Sequence, residues 1–135
     1  MRTFGLLIIV LLFICSPRAS GAIIEEQGVG QASYTQQSTK DARREAVQKA
    51  KINALHKYSS KFDISKSIVY DRIRPVIEAN IDRFLTDYLL IEDVQNNEFK
   101  YFRVIINANI DATAIEKELA KVSPVNYDLS QKEAN

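Results

Sequence analysis

The chain has 135 residues, of which 46% are hydrophobic and 26% are charged, and its formal net charge at pH 7 is +1. This length supports one domain with a modest core, and this composition excludes disorder along the whole chain. The near balance of charge gives no general argument for binding nucleic acid.

The first 22 residues have the layout of a secretory signal peptide. Arg2 precedes an apolar run from Phe4 to Ile14, and small and polar residues follow the run. A membrane anchor is disfavoured, because eleven helical residues span roughly 16 Å and a hydrocarbon core is about 30 Å thick. Cleavage after Gly21 and cleavage after Ala22 both fit, and either would deliver the chain to the periplasm.

The only cysteine, Cys15, lies within this leader. If the leader is removed, the mature chain has no disulfide. Bacterial lipoproteins acylate a cysteine that follows a short apolar run, so lipidation and outer-membrane association stay open, although Ile14 stands where the lipoprotein peptidase prefers a small residue.

The mature chain begins with "AIIEEQGVGQASYT", whose partial alternation of apolar and polar residues predicts a strand. Gly28 and Gly30 predict a bulge or a close backbone approach within that strand. A phosphate-binding loop is disfavoured, because the pair continues neither as GxGxxG nor as a P-loop that ends in Lys-Ser or Lys-Thr.

A helix is predicted from about Lys40 to about Lys61, with Ser38 or Thr39 as its N-cap and Asp41 in its first turn. Alanine recurs at every fourth position, and a ridge without bulk lets a helix approach a sheet closely. We expect this ridge to face the sheet, flanked by Val47, Leu55 and Tyr58; its members are Ala42, Ala46, Ala50 and Ala54.

The same helix carries a basic stripe formed by Lys40, Arg44 and Lys51, which fall within about 40° of one another around a helix of 3.6 residues per turn. Residues 40 to 83 hold 11 basic and 6 acidic side chains. The stripe is either the solvated face of an amphipathic helix or a contact surface for an anionic polymer.

A second helix is predicted from about Arg74 to Phe84, because Pro75 breaks a continuous helix but suits a first turn. Residues 63 to 72 then form an irregular connection or a short strand. The side chains expected to point inward are Val76, Ile77, Ile81, Phe84 and Leu85.

Two apolar-rich segments around "QNNE" predict a hairpin. In its second strand, Phe102, Val104, Ile106, Ala108 and Ile110 share one face, while Tyr101, Arg103, Asn107 and Asn109 share the other. Because exposed strands invite partners, we expect the outer edge and outer face of the hairpin to make protein contacts, through Tyr101, Arg103, Ile105 and Asn107.

A short helix, "ATAIEKELAKV", closes the domain, with Asp111 as its cap. Together the elements predict an α+β domain over residues 23–123, in which a three-stranded sheet containing antiparallel strands carries helices on one face in the order β-α-α-β-β-α. A polar tail occupies residues 124–135.

Residues that carry chemistry do not form a recognisable site in the sequence. His56 is the only histidine, and no mature cysteine joins it in a zinc site or a Cys-His pair. Four carboxylates fall on a predicted helix end and a strand; they are Asp82, Asp87, Glu92 and Asp93. Side chains placed in this way do not converge on a cleft, as catalysis by a pair of carboxylates requires. We therefore expect no enzymatic activity, cofactor, metal, nucleic acid or small-molecule substrate.

The leader, the G-x-G strand, the run from Ala42 to Leu55 and the strand "YFRVIINANID" together resemble the amino-terminal domain of flagellar assembly protein T. The segment from Ile24 to Leu119 carries the likeness, which extends to small outer-membrane-associated bacterial proteins and lipoproteins of the same α/β unit. The resemblance implies a periplasmic domain and, in the flagellar family, a role in building a ring around the basal body.

Members of that family carry further domains, whereas this sequence ends about fifteen residues past the match. We expect the functions of those domains to be absent or supplied by another chain. The predicted function is a non-enzymatic periplasmic interaction or assembly module whose partners are periplasmic or flagellar ring proteins. The alternative is an envelope-binding module that contacts anionic cell-wall or lipid polymers through the basic helix.

Overall fold

The computed structural model describes residues 22–122 and has an α+β fold. In chain order its elements are β1 (Ile23–Ser33), α1 (Thr39–Ser59), α2 (Ile64–Ala79), a 3-10 helix (Ile81–Arg83), β2 (Leu85–Asn96), β3 (Tyr101–Asp111) and α3 (Ala112–Val122). The predicted fold class and element order are confirmed. The predicted leader up to Gly21, Cys15 within it, and the polar tail lie outside the described residues.

The three strands form an antiparallel sheet in the order β1-β3-β2, so β3 is the central strand. The pairing of β1 with β3 is unbroken from Ile23 opposite Asp111 to Ser33 opposite Tyr101. The pairing of β2 with β3 shifts register twice, at Thr86 and at Ile91. The bulges therefore lie in β2 and not in the strand that contains the two glycines.

The helices cover one face of this sheet and form the core against it. The alternation predicted for β3 is confirmed, because all five side chains assigned to its inner face are buried. Leu55 from α1, Ile77 from α2 and Ile115 from α3 are almost completely buried in the same core. Each helix thus contributes a large aliphatic side chain to a single cluster.

The alanine ridge of α1 lies directly on β1. All four alanines are 0% exposed, as the spacing predicts. A Cβ atom built on Gly30 would overlap the carbonyl oxygen of Ala46, and one built on Gly28 would overlap that of Ala50. The glycines therefore permit a close approach of helix backbone to strand backbone.

Helix α1 begins where the cap residues predict. Ser38 has extended backbone dihedrals, and its Oγ accepts a hydrogen bond from the backbone N–H of Asp41 at 3.1 Å. The helix ends at Ser59, two residues before the predicted end.

The prediction for the second helix is wrong at both ends, since the helix ends at Ala79 and a separate 3-10 helix (Ile81–Arg83) follows it. Helix α2 begins at Ile64 and continues through Pro75, so residues 64–72 are helical and not a connection or a strand. Asp63 caps the helix by accepting the N–H of Lys66 at 2.8 Å. Proline removes one donor, and the carbonyl oxygen that loses its partner is that of Asp71, on the exposed side of the helix.

The prediction for Val76 is also wrong, because its side chain is 62% exposed and does not point into the core. In the longer helix the buried or partly buried hydrophobic residues are Val69, Tyr70, Ile73 and Ile77, which follow helical spacing and leave Val76 on the solvent side. The other predicted inward residues are buried; they are Ile77, Ile81, Phe84 and Leu85.

The hairpin turn lies two residues later than predicted. Strand β2 runs to Asn96 and the turn occupies residues 97–100. The Oδ1 atom of Asn96 accepts the N–H of Phe99 at 2.8 Å, and Lys100 has a φ of 56°. This side-chain bond stabilises the turn at the later position.

An aromatic cluster joins the end of α1 to α2. The ring of Phe62 makes edge-to-face contacts with Tyr58 and Tyr70, at centroid distances of 5.0 and 5.4 Å. Ser59, beside the cluster, donates its hydroxyl to the carbonyl oxygen of His56 at 3.1 Å. The Tyr70 hydroxyl is buried and has no partner of hydrogen-bonding geometry within residues 22–122.

Burial raises the pKa of Tyr70 from 10.0 to about 12, and the charge of Glu78 acts in the same direction. Between these two values the unfolded chain releases the proton and the folded chain keeps it, so stability is full below pH 10 and falls as the pH rises towards 12. A difference of this size corresponds to roughly 2–3 kcal/mol.

We therefore expect Tyr70→Phe to lose less stability between pH 10 and pH 12 than the parent chain, and to be no less stable at pH 7. The measurement is urea unfolding at a series of pH values. Tyr101→Phe on the opposite face of the sheet serves as the control. A parallel loss of stability in the parent chain and in Tyr70→Phe would contradict this account of Tyr70.

Candidate interaction surface

The face of the sheet opposite the helices is open within the described residues. It carries the four predicted contact residues of β3, of which Arg103 is exposed while Tyr101, Ile105 and Asn107 are half-buried. Ile105 pairs with Val29 of β1, and both are half-buried in the middle of this face. We call this surface the open face.

Strand β2 extends the open face on one side. Leu89 lies opposite Asn107 and Val94 lies opposite Arg103, which places both side chains on the same face as their partners. They are 68% and 43% exposed. The open face thus has an apolar middle, an apolar flank and polar side chains between them.

The free edges of the sheet belong to β1 and β2, since β3 is paired on both sides. The contact residues predicted on β3 therefore lie on the outer face of the hairpin but not at its outer edge. The edge of the hairpin is formed by β2.

The three residues of the predicted basic stripe differ in environment. The side chain of Lys51 is only 14% exposed, and its Nζ contacts Asp82 Oδ1 at 2.8 Å and lies 5.1 Å from the centre of the Tyr88 ring. Arg44 is 71% exposed and lies 3.4 Å from Asp41, while Lys40 is exposed. Lys51 is thus part of the contact between α1 and the sheet.

The lysines that would extend the stripe do not add a shared basic surface. Lys61 pairs with Glu26 of β1, and Lys57 is exposed in the last turn of α1. The cationic side chains of α1 are therefore divided between packing contacts and solvent, and several have acidic partners.

The carboxylates considered for catalysis do not converge on one point. Asp82 pairs with Lys51, and Asp93 pairs with Arg43 Nε at 2.6 Å. Asp87 lies on the open face opposite Asn109, and Glu92 lies opposite Ile105. Within residues 22–122, no group of three or more His, Cys, Asp or Glu side chains is arranged to hold a metal ion.

His56 lies on the outer surface of α1, where its Nε2 is 2.6 Å from Glu78 Oε1 of α2. This contact ties the two helices together at an exposed position. Within residues 22–122 the imidazole of His56 is hydrogen-bonded to Glu78 and not to a hydroxyl or thiol group, so its contact is structural.

A shallow polar depression of about 400 Å³ lies between the loop after β1 and the side of α1. Its polar groups are paired with one another, since Gln37 Nε2 donates to Ser33 O and to Glu45 Oε2, and Lys49 contacts Glu45 at 2.7 Å. Hydrogen bonds from Lys49 and then Gln37 lower the pKa of Glu45. The depression is therefore a set of internal contacts around the start of α1.

Sequence reasoning missed the exposure of β2 and the pairs that anchor α1 to its neighbours, Arg43 with Asp93 and Lys51 with Asp82. One signal for the exposure was present, because "YLLI" is continuous rather than alternating and so assigns no covered face. The pairs depend on the position of α1 over the sheet, which one sequence does not specify.

Comparison with models of known protein families finds no family that matches the chain. Comparison with curated proteins finds no significant match. Among the helices within residues 22–122, none is both long enough and apolar enough to cross a bilayer.

Proposed function

We propose that the domain is a non-enzymatic interaction or assembly module of the periplasm, which contacts a partner protein through the open face. The observation that carries the proposal is the apolar pair Val29 and Ile105, which no helix covers, in the middle of a sheet whose other face packs against the helices along β1 and β3. Leu89 and Val94 enlarge this apolar area, and exposed patches of this kind commonly mark contacts between proteins.

The mixture of side chains supports a protein partner. Arg103 is the neighbour of Ile105 on this face and Tyr101 follows Arg103, and arginine and tyrosine are enriched at the residues that dominate binding energy in protein interfaces. The predicted leader supports a periplasmic location, and the resemblance to the amino-terminal domain of flagellar assembly protein T supports ring assembly at the flagellar basal body as the system.

The test is quantitative capture of crosslinked partners from the host, with the tagged chain expressed in full so that the host processes it. We expect Arg103→Glu to lower the recovery of ring or basal-body proteins by roughly tenfold, because an interface arginine is replaced by the opposite charge. Arg72→Glu, on the exposed side of α2, makes the same change in charge and should leave recovery unchanged.

Equal urea midpoints for the parent and both variants would show that the fold is intact. Recovery of ring proteins that is equal for Arg103→Glu and the parent would overturn the assignment to the open face. A parent chain that captures no ring or basal-body protein would overturn the flagellar proposal.

The alternative, capture of an anionic envelope polymer through α1, has less support because Lys51 is largely buried against Asp82 and Tyr88. Reversing the charge of Lys51 would also disturb this packing, so a clean test is limited to Lys40 and Arg44. If Lys40→Glu/Arg44→Glu binds cell-envelope fractions as the parent does at low salt, the alternative is excluded.

A further inference from the structure

The outer edge of β2 is the most apolar exposed segment among the described residues. Five large hydrophobic side chains within seven positions are exposed; they are Tyr88, Leu89, Leu90, Ile91 and Val94. They project from both faces of the strand, because Tyr88 and Leu90 pair with inner-face positions of β3 and Leu89 and Val94 pair with open-face positions. An edge strand with these properties is a template for pairing with another chain.

The position of α1 explains why this edge is exposed. The close contact between the alanine ridge and the two glycines holds α1 over β1 and β3. On the β1 side, Asn53 of α1 accepts the backbone N–H of Val29 through Oδ1 at 3.0 Å, so a helix side chain covers part of that edge. On the β2 side, α1 reaches the inner-face residues Asp93 and Tyr88 through the long side chains of Arg43 and Lys51.

The charge of β2 favours one kind of partner. The strand contains Asp87, Glu92 and Asp93 and no lysine or arginine. Asp93 is paired with Arg43, whereas Asp87 and Glu92 are directed to the open face beside the exposed apolar side chains. A partner strand with basic side chains would meet opposite charges there.

The same charges disfavour a second copy of this chain as the partner. Pairing β2 with β2 of another copy would join two acidic strands, and neither strand has a lysine or arginine to pair with Asp87 and Glu92 of the other. The register shift at Ile91 also divides the edge into two short stretches, which limits pairing between copies over the whole strand.

We propose that the outer edge of β2 binds an extended segment of a partner protein in which basic and apolar side chains alternate, so that the segment becomes a fourth strand. The proposal rests on the proposed role as an interaction module and specifies a second contact with the partner. Backbone hydrogen bonds to β2 provide the affinity, and the basic side chains select the partner by contacting Asp87 and Glu92.

The test uses a capped seven-residue peptide in which lysine and valine alternate, together with its glutamate and valine counterpart. The chain is expressed in full and purified from the compartment in which it accumulates. The measurement is hydrogen–deuterium exchange at the backbone amides of β2. When the lysine peptide is present at about ten times its dissociation constant, we expect exchange at alternate amides to be about tenfold slower, because only the unbound fraction exchanges. The glutamate peptide should give no protection.

A charge variant tests the selection of basic side chains. Asp87→Asn/Glu92→Gln should bind the lysine peptide about fivefold more weakly, since two exposed ion pairs are lost. Asp71→Asn/Glu116→Gln makes the same change in charge on helices α2 and α3 and should bind as the parent does. Asp87→Asn keeps an acceptor for the N–H of Tyr88, which donates to Asp87 Oδ1 at 2.8 Å in the parent chain.

Three results would overturn the proposal: no protection of β2 amides by the lysine peptide, equal protection by both peptides, or protection that rises with protein concentration in the absence of peptide. The last result would identify a second copy as the occupant. If capture from the host depends on Arg103 but the lysine peptide does not protect β2, the open face remains the proposed contact surface and only the contact at the edge of β2 is excluded.

Discussion

Gly30→Ala is expected to destabilise the domain by about 3 kcal/mol or more, although the change adds only one methyl group. The added Cβ would overlap the carbonyl oxygen of Ala46 and lie 2.9 Å from its carbonyl carbon. Both atoms belong to the backbone of α1, so the whole helix must move to make room. At an ordinary strand position, replacing glycine by alanine would instead stabilise the fold, because glycine loses more conformational freedom on folding.

The measurement is the free energy of unfolding from urea titration, with Gln31→Ala on the exposed side of the same strand as the control. We expect the midpoint to fall strongly for Gly30→Ala and to stay near the parent value for the control. Shortening the facing residue in Gly30→Ala/Ala46→Gly should not restore stability, because the overlap is with backbone. A rescue by that second change would contradict the backbone-contact account.

Ala50→Leu is expected to destabilise the domain by about 1–3 kcal/mol. Ala50 is completely buried, and its backbone atoms face Gly28 and Gly30. The three added carbon atoms must separate α1 from β1 or displace core side chains, and either change leaves poorer packing elsewhere in the cluster. The same reasoning and magnitude apply to Ala46→Leu.

Ala120→Leu is the matched control, because Ala120 is an exposed alanine within helix α3. Both changes replace a helical alanine by leucine, so helix propensity is nearly the same in the two variants. Only the change in α1 should lower the urea midpoint. Equal midpoints for Ala50→Leu and the parent chain would mean that the ridge does not pack on β1.

These packing features were predictable from sequence because both partners of the contact carry a signal. Alanine at every fourth position predicts a helix with one side free of bulky side chains. Gly28 and Gly30 predict a strand that a helix backbone can approach closely. The alternation of β3 was equally readable, since a central strand with one covered face keeps its period of two. The cap of α3 was also predictable, and Asp111 Oδ1 accepts the N–H of Ala114 at 3.0 Å.

Other features depend on energies that a local pattern does not show. Pro75 costs α2 a single hydrogen bond at an exposed position, which burial of Tyr70 and Ile77 on the same helix offsets. The exposure of β2 follows from the lateral position of α1 over the sheet, which is decided by the contact between the alanines and β1. The contact residues of β3 were correctly predicted to alternate with its buried residues. Their position in the centre of the sheet was not predictable from this alternation, because it depends on β1 pairing with β3 and not with β2.

The proposed open face and the edge of β2 adjoin one another, since Leu89 and Val94 belong to both. A partner that pairs with β2 can therefore extend side chains over Ile105 and Arg103. This arrangement would let one partner use both surfaces, with the edge fixing its register and the open face adding apolar contact.

The most direct test of the proposed contact is site-specific photo-crosslinking in the host. A photoreactive phenylalanine analogue replaces Tyr101 or Asn107 on the open face, and in separate strains it replaces Arg72 or Val76 on α2. We expect the open-face positions to crosslink to one defined periplasmic protein, identified by mass spectrometry, and the positions on α2 to give no such crosslink. Equal crosslinking from both sides of the molecule, or crosslinking from α2 alone, would contradict the proposed contact.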